Sequence, residues 1–397
     1  MNILKEITPS NKEIELNKKL LKSFISKFKL KDIKLTPGGS YAKNTWISGN
    51  IDIDIFAKFN YKKYENKDIS KDLKKILLKK FKRVKTIHGS RDYFHIKQKN
   101  IIFEVVPVLD IENPSKAKNV MDVSPLHVNY VKKHTNKKLQ DQIRILKQFC
   151  KANELYGAES YIKGFSGYVL EILIIYYKSF KNLLTAAKRW KSKTIIDPSK
   201  FYKSKEELLS LLNKSKAESP LILIDPVQPN RNAAAALGKE KFQKLLELAK
   251  IYDNSESFFK KKEVDIKKLK GYLIFKVEPK GGKSDIIGAK LLTSLERMKK
   301  EFEQKDFEVQ DYGWKWNKEA YFWFKIPKLS KTKKHYGPEL KRKMHVRAFK
   351  QRWKRTKTEK GIIYTIIKRE FTDPKQFSKV LIKKDFIKEK LRKISLI

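Results

Sequence analysis

The chain has 397 residues, 40% of them hydrophobic and 12% aromatic, enough to bury a substantial core in two or three domains and too apolar for a disordered protein. Lysine and arginine total 92 against 44 acidic residues, and a formal charge of +48 repels itself unless a polyanion is the regular partner, so nucleic acid leads and anionic lipid trails. A membrane-spanning helix is excluded, because the most apolar run, residues 169–177, falls far short of the roughly 20 residues a bilayer needs and contains Glu171.

The opening residues, Met1 to Glu6, carry no signal-peptide core, and the one cysteine, Cys150, cannot close an internal disulfide, so a reducing cytoplasm is the expected compartment. Ser10 and Glu13 stand at capping-box spacing, and Ile14, Leu20, Leu21, Phe24, Ile25 and Phe28 follow at helical intervals, which predicts a first helix. Pro37-Gly38-Gly39 predicts a loop. The run Gly38 to Lys43 joins glycines that permit close backbone approach to a hydroxyl and a lysine suited to phosphate.

Next, Ile51-Asp52-Ile53-Asp54-Ile55 alternates strictly, as a strand does, with Asp52 and Asp54 on one side and Ile51, Ile53 and Ile55 toward the core. Two carboxylates about 4 Å apart at an effective dielectric of about 20 repel by about 4 kcal/mol, which a bound divalent cation relieves. Taken alone, the Asp-x-Asp pattern also suits a solvent-facing edge strand, and Gly-Gly-Ser an ordinary turn. Residues 93–98 and 101–109, separated by Lys99-Asn100, read as a hairpin. Within it Glu104 is a third acid among apolar residues, giving a hard-oxygen set suited to magnesium.

Residues 1–130 therefore form a mixed α/β domain. The spacing of Ile143, Leu146, Lys147 and Cys150, and the stretch 168–177, predict a mostly helical domain over 131–265. Beyond it, residues 272–275, a helix near 285–304 and Tyr321-Phe322-Trp323-Phe324 predict an α+β module over 266–397. Residues 331–397 are about a sixth of the chain yet hold roughly a third of its net positive charge, so this region is expected to lie against phosphate. Lysine-rich usage also follows from genome composition or a hot habitat. Trp314, Trp316, Phe322, Trp323 and Trp353 interleave with the charge, as RNA-stacking rings or as core. Six histidines and one cysteine give no zinc cluster, and no internal repeat is present.

The run Gly39-Ser40-Tyr41-Ala42-Lys43-Asn44-Thr45-Trp46, followed by Asp52-Ile53-Asp54, resembles the nucleotidyltransferase signature of archaeal, class I CCA-adding enzymes. The likeness continues through Glu104-Val105-Val106-Pro107, Ser124-Pro125-Leu126-His127, Tyr156-Gly157-Ala158-Glu159, Gly164-Phe165-Ser166-Gly167-Tyr168 and the stretch from Asp225-Pro226 to Pro229-Asn230-Arg231-Asn232. It covers about residues 1–240, and more loosely Lys334-His335-Tyr336-Gly337-Pro338. The resemblance implies an α+β multidomain chain. Its parts would be a polymerase-beta-like nucleotidyltransferase catalytic domain of mixed α/β structure, a helical central domain for nucleotide and primer, and an α+β C-terminal RNA-binding body and tail.

The resemblance also implies template-independent addition of C, C and A to the 3′ end of tRNA from CTP and ATP, with release of pyrophosphate. Asp52 and Asp54 would share two magnesium ions, with Glu104 as the third acid beside the primer 3′-hydroxyl. Ser40 and Lys43 would contact phosphate, His127, Lys147 and Tyr156 would hold the incoming nucleotide, and Arg231 would read its base. The family usually carries arginine in place of Lys43 and of Val123. Gly164 to Tyr168 reads as packing or close backbone approach rather than catalysis. The expected partners are tRNA, CTP and ATP and no membrane, with a homodimer left open. Two other readings remain: a poly(A) polymerase or oligoadenylate-synthetase-like transferase, and a non-catalytic RNA-binding relic. The 225–231 and 334–338 regions favour CCA addition over the first, and three retained acids argue against the second.

Overall fold

Ser10 caps the helix α2 (Asn11–Ile25) by accepting from the Glu13 amide, and Leu21 and Phe24 on its inner face are buried. A short helix, α1 (Ile3–Ile7), precedes it. The computed structural model describes residues 3–49, 52–98, 100–212, 218–261, 264–317 and 319–397, so Ile51 and Lys99 lie outside the described residues. The chain divides into two compact units, residues 1–262 and 263–397.

The first unit begins with a five-stranded mixed sheet made of β1 (Ile33–Pro37), β2 (Asp52–Asn60), β3 (Lys85–Ile87), β4 (Tyr93–Gln98) and β5 (Ile101–Asp110). The strand order is β1-β2-β5-β4-β3, with β2 and β5 parallel and the other pairs antiparallel. Alternation on β2 sends Ile53, Ile55, Ala57 and Phe59 into one core with Leu21, Phe24 and the inner face of a helix over Ile69–Leu78. Its other face carries Asp52 and Asp54 and then Phe56, which is sealed by Val106, Val108 and Val128. The expected loop at residues 37–39 shrinks to Gly38, between Pro37 at the end of β1 and a helical turn that opens at Gly39. Gly39–Ala42 makes one helical turn, α3, entered at Gly39 with φ +51, which sets the backbone against Asp54 of β2.

Helical packing then dominates, with α4 (Ser124–His134), α5 (Lys137–Ala152), α6 (Gly167–Tyr177) and α7 (Phe180–Ala187). Every residue of α6 from Val169 to Ile175 is buried, and Phe149, Phe165, Leu173 and Phe180 sit in the same core. A small parallel pair, β6 (Thr194–Ile196) with β7 (Leu221–Leu223), leads into the segment 225–232.

The second unit holds a four-stranded antiparallel sheet of β8 (Leu273–Pro279), β9 (Asp311–Trp316), β10 (Ala320–Lys325) and β14 (Leu391–Leu396), in the order β14-β8-β10-β9. The helix α8 (Ser284–Gln304) packs Leu291, Leu295, Met298 and Phe302 against Phe275, Phe322 and Phe324. A separate three-stranded sheet runs β11 (Thr332–Glu339), β13 (Ile362–Lys368), β12 (Thr356–Glu359), with α9 (Lys343–Arg352) packed through Phe349 on His335. Phe322 and Trp323 are buried, and Trp353 packs beside His335. The rings left open are others, notably Tyr336 next to Tyr364. Among the described residues no helix is long and apolar enough to cross a membrane.

Candidate active site

The parallel register of β2 and β5 sets Asp54 directly beside Glu104, and the β4–β5 register sets His95 on Glu104's other side. Asp52 lies two residues before Asp54 and so shares its face. Glu104 Oε2 lies 2.8 Å from His95 Nε2. Burial, and after it the Glu104 and Asp52 charges, push the Asp54 carboxyl up to about 6 against the lowering pull of Lys43. Burial also raises Glu104, although His95 opposes it. An aspartate raised by burial and then by neighbouring carboxylates marks a place short of positive charge, and the donors are all hard oxygens, so the set fits a divalent cation. Among the described residues no three acid, histidine or cysteine side chains form a ready metal cage. A hard cation that takes one or two protein carboxylates and completes its shell from water and substrate phosphate needs no such cage.

Gly39 brings the backbone onto this face. A Cβ added there would fall 1.6 Å from Asp54 Oδ2, so only glycine leaves the carboxylate its room. Ser40 follows it on α3, and its carbonyl accepts from the Thr45 amide at 3.0 Å, closing the turn.

The signature loop that follows is gripped from two helices. Arg144 of α5 donates to the carbonyls of Asn44 and Trp46 at 2.8 and 2.9 Å. Lys147, one turn along, donates to Thr45 Oγ1 at 2.9 Å and to Glu171 Oε1 at 2.7 Å. Lys43 Nζ lies 2.6 Å from Glu171 Oε2, and Thr45 Oγ1 donates to Glu171 Oε1 at 2.7 Å. Lys43 and Lys147 are thus buried, and neither stands free in an open pocket. A buried carboxylate costs several kcal/mol unless it is paired and hydrogen-bonded, and Glu171 is both. Burial works to raise its carboxyl, and Lys147 and Lys43 overcome that and hold it at about 2. Burial lowers Lys147 to about 8 although Glu171 works to raise it. Tyr156 reaches the same spot: a Cβ at Gly167 would meet its hydroxyl at 3.0 Å and Lys147 Cε at 3.7 Å. Burial, with Glu171 second, pushes the Tyr156 hydroxyl up to about 12.

A second buried carboxylate, Asp225, gathers His127 and Arg231. Arg231 Nη1 donates to Asp225 Oδ2 at 2.6 Å, Tyr168 Oη donates to Oδ1 at 3.0 Å, and the Val227 amide donates to Oδ1 at 2.9 Å. His127 Nε2 lies 3.0 Å from Asp225 Oδ2, and its ring stacks on Tyr168 at 4.1 Å between centroids. Burial works to raise Asp225, and His127 and Arg231 hold it at about 2. The Arg231 side chain is 38% exposed, leaving donors for a further partner.

Three groupings therefore hold the expected site residues other than Ser40, which stays on α3: Asp52, Asp54 and Glu104; Lys43, Lys147 and Tyr156 around Glu171; His127 and Arg231 around Asp225. All belong to the first unit. Tyr168 and Glu171, a helical turn apart on α6, link the second grouping to the third. Sequence reasoning missed His95, Glu171 and Asp225 as partners. Glu171 entered it only as an interruption of an apolar run, although a lone acid amid such a run was itself the signal.

Three family descriptions match successive parts of the chain: "Nucleotidyltransferase domain" over residues 17–127, "tRNA nucleotidyltransferase, second domain" over 141–260, and "CCA-adding enzyme, C-terminal domain" over 273–390. The chain is 36% identical over 346 residues to a protein of Nanoarchaeum equitans named CCA-adding enzyme, covering 84% of each. It is 30% identical to the protein of that name from Saccharolobus shibatae, covering 78% of this chain and 73% of the relative. For the Archaeoglobus fulgidus protein, also so named, the figures are 29%, 85% and 78%. Among solved structures, a cytoplasmic RNA terminal U-transferase superposes with a TM-score of 0.50 at 12% identity, over 66% of this chain and 97% of that one, which is a likeness of fold.

Proposed function

Because this chain belongs to the archaeal CCA-adding enzymes, a family of tRNA nucleotidyltransferases, we propose that it adds C, C and A in turn to the 3′ end of tRNA from CTP and ATP. The observation that carries the reading is Asp54 held beside Glu104 in parallel register, under a glycine that brings phosphate-binding backbone within reach. A nucleotidyltransferase of this kind depends on a divalent metal ion, and the ion we assign is magnesium, held by Asp52 and Asp54 with Glu104 beside them. Bound there, magnesium supplies Lewis acidity toward the primer hydroxyl and neutralises charge on the leaving pyrophosphate.

The chain's own residues do the rest. Ser40 and the α3 backbone receive phosphate oxygens, and Lys43 and Lys147 supply the positive charge behind them. Tyr156 stands at the same wall. Arg231 offers the nucleotide base its free donors, fixed in direction by Asp225, while His127, braced on Tyr168, closes the other side. The basic second unit receives the acceptor arm, an A-form duplex recognised by phosphate and shape more than by sequence.

Incubation of tRNA lacking its tail with labelled CTP and ATP tests this. The product is expected to gain C, C and A and stop, and with ATP alone tRNA ending in CC should gain one A. Long adenosine tails would replace the reading with a poly(A) polymerase, and no incorporation at any magnesium concentration would leave an RNA-binding relic.

A further inference from the structure

Glu171 stands midway along α6, the most apolar helix among the described residues, with no exposed surface. A carboxylate in that position is retained only if its partners need it, since a hydrophobic residue would pack there more cheaply. Its partners are two ammonium groups, Lys43 Nζ at 2.6 Å and Lys147 Nζ at 2.7 Å, and the Thr45 hydroxyl at 2.7 Å. To pin the signature loop to the helices, one lysine would balance the charge. The second makes this buried trio positive by one, with the Lys43 side chain still 9% exposed, and Arg144 already secures the same loop through the Asn44 and Trp46 carbonyls.

We propose that Glu171 is a positioning residue for nucleotide binding, which holds Lys43 and Lys147 side by side so that their surplus charge meets the triphosphate of the incoming nucleotide. The inference rests on the nucleotidyltransferase reading above and deepens it. Glu171 itself touches no substrate in this scheme. It acts by fixing where the two ammonium groups sit and by opposing the loss of the Lys147 proton. Four kinds of group face Lys147: Glu171 from α6, Lys43 from the signature loop, Lys151 one turn along α5, and Tyr156 with its hydroxyl at the same wall. Only Glu171 among them is an acid. Burial already brings Lys147 down to about 8 with that acid in place, so a neutral side chain at 171 lets the proton leave at lower pH.

The test compares the full-length wild type with Glu171→Gln, which keeps the shape and removes the charge. Affinities for MgATP and MgCTP are measured by calorimetry at pH 6 and pH 8, as ratios to wild type at the same pH. Glu171→Gln is expected to bind at least tenfold more weakly at pH 8 and to lose less at pH 6, where a larger share of Lys147 carries its proton. Wild-type affinity at both pH values, or an equal loss at both, would reduce Glu171 to packing. Should Glu171→Gln melt below the assay temperature, Lys147→Gln with Glu171→Gln removes the two charges together. That double variant should bind weakly at both pH values, and wild-type binding by it would overturn the proposal. If the wild type itself bound neither MgATP nor MgCTP, the proposed function would fail first, which is a separate result.

Discussion

Gly39 decides how near a backbone can come to Asp54. With φ at +51 and an added Cβ placed 1.6 Å from Asp54 Oδ2, Gly39→Ala must either tilt the α3 turn away or push the carboxylate off the face it shares with Asp52. Incorporation by Gly39→Ala is therefore expected to fall at least about a hundredfold, since a ligand misplaced by an ångström forfeits several kcal/mol of barrier lowering. Its thermal stability should change far less, because relieving the repelled Asp54 offsets part of the strain; primer extension and a melting curve on the same preparation check both. At this scale the sequence was informative where chemistry interrupts a local pattern. Asp52 and Asp54 are the polar half of a strict alternation and Glu104 is a lone acid in an apolar run, so their strands made them visible. Glu171 and Lys43 meet across 128 positions, and no local pattern carries such a pairing.

The segment 225–231 shows what one buried acid does for an element that has no regular hydrogen-bond ladder. Asp225 ties the segment to α6 through Tyr168 and to its own far end through Arg231, and the Asp225 amide donates to the Arg231 carbonyl at 3.0 Å. Its carboxyl is held at about 2, below the ordinary 3.8, so its ionised form favours the folded state. That stabilisation is complete above pH 4 and is lost as pH falls through about 2. Against Asp225→Asn as reference, the wild type's extra stability should shrink by about 2 kcal/mol across that window, read from urea unfolding at each pH. A gap that stays constant would show that Asp225 contributes shape and not charge. Long periodic elements such as β2, α5, α6 and α8 were legible because burial of one face writes itself into spacing. Short ones were not: α3 is a single turn entered at a glycine, and the β6–β7 pair is held by its surroundings. The basic tail hid a sheet, since β11 reads Thr-Lys-Lys-His-Tyr-Gly-Pro-Glu and leaves much of its surface open.

The three site groupings all lie within residues 1–262, whereas residues 331–397 of the second unit hold roughly a third of the net positive charge. A chain ended at residue 262 should therefore keep MgATP binding while holding tRNA at least tenfold more weakly. Its log affinity should also fall less steeply with log salt, by roughly 0.7 to 0.9 for each phosphate that the missing unit would have neutralised. Filter binding across a salt series measures this, and an unchanged slope would assign the charge to solubility instead. The second unit also has an order of assembly written into its sheet. β8 lies between β10 and β14, yet β14 is synthesised only after everything from Pro279 to Leu391 has emerged. Until then one edge of β8 offers its unpaired amides and carbonyls to any extended strand nearby. Once β14 docks, the rim it presents carries the exposed Arg392 and Lys393, which discourage further strand addition. Cleavage of the chain before residue 391 would thus leave one edge of β8 without its partner and open to pairing with another strand.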